Sequence, residues 1–515
     1  MTDYDAIVVG SGAGGLSAAL RLAQQKVSVL VLEAMPAFGG YINPFVRNGY
    51  RFDTGVHYLG KLGHGGTFRL LLELLELDDQ LDFVELDPDG FDRYVFPDFE
   101  LRLCKGKQRY HERLQRLFPH ESRAISRYFN LMDRLLNAFS DPHGPPKNLL
   151  DRLRYAFRHP VLIKYHRATY QQMLNHITRN PRLQAALSAH CGNSGLPPDR
   201  ASAFLCMMLL DHYLDGAYYP KGGSAALRDA LVAAIEKNNG ILKNRTPVNS
   251  IRRSGAEFIV SSRSGDTFTA RTVISNVDPL IAFRQLIDPG MIPRPIKKKV
   301  AGLQPSGGSF YAFIGTRMDP TAAGLTDANI IHFEYTDVNR TFAAVADRQA
   351  SDPFPYYFIT SPSLKDPDHR YAPDSCHTLE IISGLGYDHP FTPWSGTQSR
   401  RRGEDYSRLK KQIGMSLVRS AERYIPDLGS NLDFVEFATP LSNEYWVNSV
   451  SGGNFGPEQT PAQFGPGRFF DCTAGIEGLF VVGAGAISAG VLSCIASGVW
   501  AANQAVEFLE GNIDR

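Results

Sequence analysis

Cysteine is sparse and scattered in this chain: six residues, at positions 104, 191, 206, 376, 472 and 494, with no CxxC pair. That spacing offers neither a disulfide framework nor a zinc site, and it suits reduced thiols in a cytosolic compartment. Net charge is equally scarce. With 54 basic against 53 acidic residues the chain carries +1, so no global field draws it to nucleic acid, and any electrostatic partner must be met by a local patch. Internal repeats and low-complexity tracts are absent. A composition of 43% hydrophobic and 21% charged residues describes an ordinary soluble protein rather than a disordered one. The opening MTDYDAIVVG has no basic stretch ahead of its apolar run, so no cleavable signal peptide is expected. One long uncharged run does occur, from Gly478 to Val506, enough to cross a bilayer. Gly483, Gly485 and Gly490 break its first half. It therefore reads as a buried strand, a glycine loop and, from about Val491, a buried helix rather than a membrane span.

What is present begins at the first strand. Gly10, Gly12 and Gly15 form GxGxxG between a strand-like run (6–9) and an alternating apolar helix pattern. Gly10 permits the tight turn, Gly12 lets backbone approach a pyrophosphate, and Gly15 lets helix and strand pack closely. The helix N-terminus adds amide donors and positive dipole potential. Glu33 ends the next apolar run, 18 residues beyond Gly15, where a carboxylate can accept hydrogen bonds from an adenosine ribose. Strand, glycines, helix, strand and terminal acid in one short unit predict a dinucleotide site.

A length of 515 residues suggests two to four domains. Residues 1–60 read β-α-β followed by a glycine-punctuated stretch. Residues 66–140 mix amphipathic helices with short strands, and 145–215 look mostly helical, with breaks at Pro160 and around GNSGLPPD. From 218 the α/β character returns: residues 218–240 read as a turn and helix, then short alternating strands run to 278. More strands fill 300–445, with a helix near Tyr406 to Arg423, and the last 40 residues return to strand, loop and helix. Nucleotide-binding pieces at both ends and in the middle imply a discontinuous cofactor domain with a second domain inserted.

GxGxxG with Glu33, then Gly39-Gly40, then GYRFDTG at 49–55, resembles the FAD-dependent amine oxidase and phytoene desaturase superfamily. YPKGG at 219–223, VISNVDP at 273–279, SPSLKDPDHRYAPD at 361–374 and the closing GLFVVGAG are similar to the phytoene desaturase branch. FDTGVHYLG and TPLSNEYWVNSVSGGNFGP (439–457) look most like its retinol saturase and carotenoid isomerase group. The resemblance implies an α/β fold. Its Rossmann-like FAD-binding domain would comprise 1–75, 216–290 and 430–515. An inserted mixed α+β substrate domain would comprise 76–144 and 291–429, and a helical, membrane-associating part 145–215. It also implies FAD chemistry on the double bonds of a long polyene: saturation first, with desaturation and redox-neutral isomerisation as close alternatives.

The resemblance carries cofactor contacts to Gly10, Gly12, Ala13, Gly14 and Gly15, and to Glu33 and Ala34. It carries them also to Gly39, Gly40, Tyr41, Gly55, Val56, Val248 and Asn276, and to Gly483, Ala484, Gly490, Val491 and Leu492. Two positions depart from the pattern. Ala484 stands where an acid often meets the flavin ribityl chain, and Tyr41 where a basic residue often follows the paired glycines. Asp53 reads as structural. The run Ser488 to Val491 should open a helix whose amides face the flavin pyrimidine edge, which becomes negative on reduction.

Saturating a C=C bond needs a hydride and a proton, and His57 and Tyr58, just after the DTG turn, are the nearest proton donors. Isomerisation needs no fixed donor. Between 145 and 170, Lys147, Arg152, Arg154, Arg158, Lys164 and Arg167 alternate with apolar residues against one acid, Asp151. Such a pattern can lie on an anionic membrane as a peripheral contact, or serve as a solvated helix face. No metal site and no nucleic-acid partner is expected. A second βαβ unit for NADPH is not found, so a bound flavin would be recharged at the same face or by an external donor, NAD(P)H or another. An amine oxidase-like reading would need an aromatic cage, for which Tyr445 and Trp446 are candidates, and a non-catalytic FAD lipid-binding protein is the third reading.

Overall fold

The computed structural model describes residues 2–139, 149–347, 353–368, 370–386, 389–397 and 402–511. Its first unit grows from β1 (Tyr4–Val9), α1 (Ala13–Gln24) and β2 (Val29–Leu32). It then resumes with α2 (Ser224–Lys237), β3 (Ile241–Lys243), β4 (Val248–Ser254), β5 (Glu257–Ser262) and β6 (Thr267–Ser275). It closes with β7 (Leu479–Val481) and α3 (Val491–Leu509). Five strands run parallel in the order β3-β2-β1-β6-β7. The chain steps outward from β1 to β3 and then returns to the other side of β1. The gap between β1 and β6 is therefore a topological switch point, where ligands of such sheets bind.

β1 is apolar at consecutive positions because both faces are covered. Ala6 and Val8 enter the core under α1 and α3, while Ile7 and Val9 enter the core on the opposite face. The two helices touch along a seam of small residues. A Cβ on Gly498 would stand 2.1 Å from Ser17 Oγ and 2.3 Å from the Gly14 carbonyl oxygen. The Ser17 hydroxyl donates to the carbonyls of Gly14 (3.0 Å) and Ile495 (3.2 Å).

The second unit is a seven-stranded sheet, ordered 432–438, 309–316, 377–384, 356–360, 329–333, 92–95, 100–103. All its pairs are antiparallel except 329–333 with 92–95. The strand Leu432–Ala438 lies in this sheet, so the return to the cofactor unit comes later than the expected residue 430. Tyr218–Pro220, expected as a turn, is a short strand that pairs with Phe83–Glu85. The helix expected near 406–423 is Gly403–Ala421.

Helices fill most of 107–214, around a core that includes Tyr128, Met132, Tyr170 and Leu187. Pro160 divides the basic stretch into Leu149–Arg158 and Pro160–Tyr165. Lys147 and the side chain of Arg152 lie outside what is described. Among the described residues no helix is long and apolar enough to cross a membrane. The uncharged run 478–506 splits as expected, into β7, a turn at Gly483–Gly485 and α3.

Candidate active site

One continuous cavity of about 2190 Å³ runs from the glycine loop, across the switch point, to the inner face of the seven-stranded sheet. Small-ligand pockets hold roughly 300–1,000 Å³, so this volume has room for a dinucleotide and an extended second ligand together.

At the nucleotide end the backbone is crowded on purpose. A Cβ on Gly15 would lie 2.0 Å from the Gly10 carbonyl oxygen, and one on Gly14 would lie 2.7 Å from the Gly483 nitrogen. Asn276 sits where β6 ends, with its amide donating to the Val9 carbonyl (2.8 Å), and its side chain fills the space beside Gly12. Gly39 and Gly40 both have positive φ (116° and 55°) and fold against Gly12. Glu33, 9% exposed, accepts from Ser11 N (2.9 Å), Ser11 Oγ (2.5 Å) and Met35 N (2.8 Å). A carboxylate offers about four lone-pair sites, so three bonds fix its position and leave capacity for ribose hydroxyls. The first turns of α1 and α3 both open onto the cavity, and each leaves backbone N–H groups without intrahelical partners. A Cβ on Gly490, φ +97°, would meet no heavy atom within 4 Å. Anion-binding amides in the middle, a carboxylate at one end and open space before α3 fit FAD.

Of the expected cofactor contacts, Gly10, Gly12, Ala13, Gly14, Glu33, Ala34, Gly39, Gly40, Tyr41, Gly55, Val248, Asn276, Gly483, Ala484, Gly490, Val491 and Leu492 all line this cavity. Gly15 and Val56 do not. Gly15 is packed beneath the loop against Gly10, and Val56 is 2% exposed in the core under α1. Tyr41 spends its hydroxyl on the Gly453 carbonyl (2.9 Å). Ala484 brings no charge, but its carbonyl accepts from the guanidinium of Arg468 (3.1 Å). Arg468 is fully buried and also donates to the carbonyls of Gln463, Pro457 and Glu458. Burial draws its pKa down to about 10.

The far chamber is aromatic and apolar. Side chains alternate along a strand, and one face of the large sheet presents Tyr311, Phe313, Tyr356, Phe358 and Ile382 to the cavity. Phe45 and Leu136 add to this wall. Glu380 shares the parity of Ile382, yet it is fully buried at the base of the chamber. Its Oε1 accepts from Asp53 N (2.8 Å), and its Oε2 lies 2.9 Å from His57 Nδ1, off the line of a good hydrogen bond. Burial raises the Glu380 pKa, with His57 opposing the rise.

Asp53 is structural, as expected. It is 1% exposed and accepts from Tyr219 and from Ser224 N and Oγ, tying the DTG loop to the start of α2. His57 and Tyr58 both line the cavity and both stand on a buried polar chain. The Tyr58 hydroxyl donates to Asp92 Oδ2 (2.8 Å) and accepts from Asn193 Nδ2 (3.0 Å). Asn329 donates to Asp92 Oδ1 (2.7 Å) and accepts from Lys365 Nζ (2.7 Å). Lys365, 2% exposed, donates also to the His57 carbonyl (2.7 Å) and to Thr360 (2.6 Å). Desolvation holds its pKa at about 8, although Asp92, Glu380, Asp327 and Asp53 all pull the other way. Burial likewise raises the Asp92 carboxyl.

Glu380, Lys365, Asp92 and Asn193 escaped the sequence reading. The available signals were a lone acid inside the apolar strand TLEIISGL and a lone lysine in SPSLKDPD. Tyr445 and Trp446, weighed as an aromatic cage, stand edge to face at 88° and are 43% and 54% exposed. That is not a pair of facing rings.

Comparison with known proteins agrees with this geometry. The all-trans-retinol 13,14-reductase of Danio rerio is 27% identical over 90% of this chain and 79% of that protein. The chloroplastic prolycopene isomerase of Arabidopsis thaliana is 25% identical over 97% of this chain and 82% of that protein. Among solved structures, putrescine oxidase bound to putrescine superposes with a TM-score of 0.64 at 16% identity, covering 98% of this chain and 99% of that one. This last likeness speaks for the fold. The family described as flavin containing amine oxidoreductase matches residues 13–364, about two thirds of the sequence, and the chain belongs to that family.

Proposed function

We propose that this protein is an FAD-dependent oxidoreductase acting on carbon–carbon double bonds of a long apolar polyene, a carotenoid, retinoid or similar lipid, and that it saturates one bond. One observation carries the reading: a single cavity joins the dinucleotide cradle to an aromatic chamber whose wall holds His57 and Tyr58. The retinol reductase and prolycopene isomerase likenesses point the same way. FAD, when bound, would supply the hydride for saturation. The chain's own part is to exclude water, align the polyene between aromatic rings and hold a proton near it. His57 is the proton-holding residue, with its carbonyl held by Lys365 and the Glu380 carboxyl 2.9 Å from its Nδ1. Tyr58, committed to Asp92, shapes the wall beside it.

The expected division of labour stands as part of this proposal: cofactor segments at both ends and in the middle, and a substrate unit on the large sheet. So does an external electron donor, with NAD(P)H the first to try, and a cytoplasmic enzyme resting peripherally on a membrane that stores its substrate. The test is anaerobic. Chemically reduced holoprotein is mixed with defined polyenes, flavin reoxidation is followed, and products are weighed. A gain of two hydrogens is the expected result. An unchanged mass means isomerisation, reduction of oxidised flavin by the polyene means desaturation, and peroxide release with an amine overturns the polyene reading.

A further inference from the structure

A second cavity, a groove of about 800 Å³, lies on the outer side of the helical unit, away from the dinucleotide cradle. It is bounded by Ser122–Phe139, by Pro160–Tyr165 and by the end of Tyr170–Ile177. On the first of these helices, Arg123, Arg127 and Arg134 recur at spacings of four and seven, which places them on one face. The same helix turns Ile125, Tyr128, Met132 and Leu135 into the core, and its Leu136 reaches the substrate cavity. One helix therefore separates the chamber from the groove.

Lys164 completes the cationic rim from the facing helix. All four cations are exposed, and among the described residues no acid lines the groove. Among the described residues none of the four has an ion-pair partner. Arg127 makes only a long contact to the His176 carbonyl (3.4 Å), and Lys164 stands 5.0 Å over the Tyr165 ring. Between them the floor is apolar: Leu131, Val161, Tyr165 and Ile177. Beside it, Phe157 is 87% and Ile163 55% exposed. A solvated helix face needs neither an apolar floor nor two bulky apolar side chains in water.

An apolar trough with a rim of four uncompensated cations complements one kind of molecule, an amphiphile with an anionic head. The flanking exposed Phe157 and Ile163 supply side chains that enter the acyl region beside that head. We propose that this groove seats the anionic headgroup of a membrane lipid, with the phosphate among Arg123, Arg127, Arg134 and Lys164 and the first acyl carbons on Leu131 and Val161. The seat would hold the helical unit, and with it the chamber behind Ser122–Phe139, against a bilayer. For its purpose this inference rests on the lipophilic-substrate reading. Its measurement does not.

The holoprotein is co-sedimented with vesicles of phosphatidylcholine alone and with 30% phosphatidylglycerol, at low and high salt. Binding is expected only with phosphatidylglycerol, and weaker in salt. Removing three charges as R123Q/R127Q/R134Q should weaken it roughly 100-fold, at the usual contribution of a basic residue near an anionic surface. The control R252Q/K297Q/K298Q, which removes as many exposed charges elsewhere, should bind like the parent. Equal binding to phosphatidylcholine overturns the proposal, as does equal loss in both triple variants. Displacement by millimolar glycerol phosphate also overturns it, since the groove would then be a site for free anions. Turnover of detergent-dispersed polyene is read in parallel. Its failure with vesicle binding intact would sink the substrate reading and leave the lipid seat standing.

Discussion

Replacing Lys365 by Met should destabilise the protein by an amount that grows with pH. The side chain is 2% exposed and its Nζ holds the His57 carbonyl, Asn329 and Thr360. Met nearly fills the volume but leaves those three acceptors without a donor and the carboxylates of Asp92 and Glu380 without a cation. Removing one member of a buried charge cluster costs about 3–5 kcal/mol. The pH term has a definite sign. Lys365 is native at about 8 against an ordinary 10.5, so the folded state sheds this proton before the unfolded state does. Its share of stability is absent below pH 8, grows through the window from 8 to 10.5 and is complete above it. Between pH 7 and pH 9.5 linkage predicts a gain of about 2 kcal/mol for the parent that the Met variant lacks. Buried tyrosines with raised values, such as Tyr58 and Tyr219, pull stability down in alkali. They are common to both proteins and cancel in the difference. Urea unfolding of parent and variant at the two pH values reads the effect directly. A cost that is equal at both, or smaller at 9.5, would refute a buried, strained ammonium.

Glu33→Ala should weaken FAD binding at least tenfold if Glu33 is the ribose acceptor proposed, and it frees Ser11 and Met35; flavin fluorescence titration measures this, and an unchanged Kd refutes the assignment. Gly15→Ala places a Cβ 2.0 Å from backbone that cannot move aside. It should cost about 3 kcal/mol or more, seen as a flavin-free, poorly folded product, and a yellow protein of normal Tm would contradict the packing. His57→Ala should lower polyene saturation about 100-fold while leaving flavin content intact, whereas unchanged turnover, with product mass unchanged, would favour isomerisation. Glu380→Gln should shift the pH profile of that turnover, because a carboxyl whose pKa burial raises is replaced by a neutral group of the same shape; a profile superimposable on the parent's would remove Glu380 from the proton path.

Local spacing made the nucleotide site legible. Gly10, Gly12, Gly14 and Glu33 lie within one βαβ unit, where chain order and spatial order coincide, and the last loop was readable because Gly483 to Gly490 interrupts an apolar run. The polar base of the chamber is of another kind. Asp92, Asn193, Lys365 and Glu380 come from four separated segments and meet only because the seven-stranded sheet and the helical unit fold onto the DTG loop. No periodicity announces such a meeting; the acid in TLEIISGL and the lysine in SPSLKDPD are its traces. The cationic groove shows the same limit. The basic stretch near 150 drew attention, whereas the cations that line the groove sit mostly on the helix before it.

The seam between α1 and α3 has a temporal meaning. α1 is made long before α3, yet Gly498 rests directly on Ser17 and Gly14. Until β7 and then α3 emerge, the edge of the sheet beside β6 is open, the small-residue face of α1 has no cover, and the amides at 490–492 are not in place. A cradle lined by both α1 and α3 is therefore assembled only after α3 has been made. A protein stalled a few dozen residues short of this point would be an open sheet with an uncovered helix, a target for chaperones and proteases rather than a weaker enzyme.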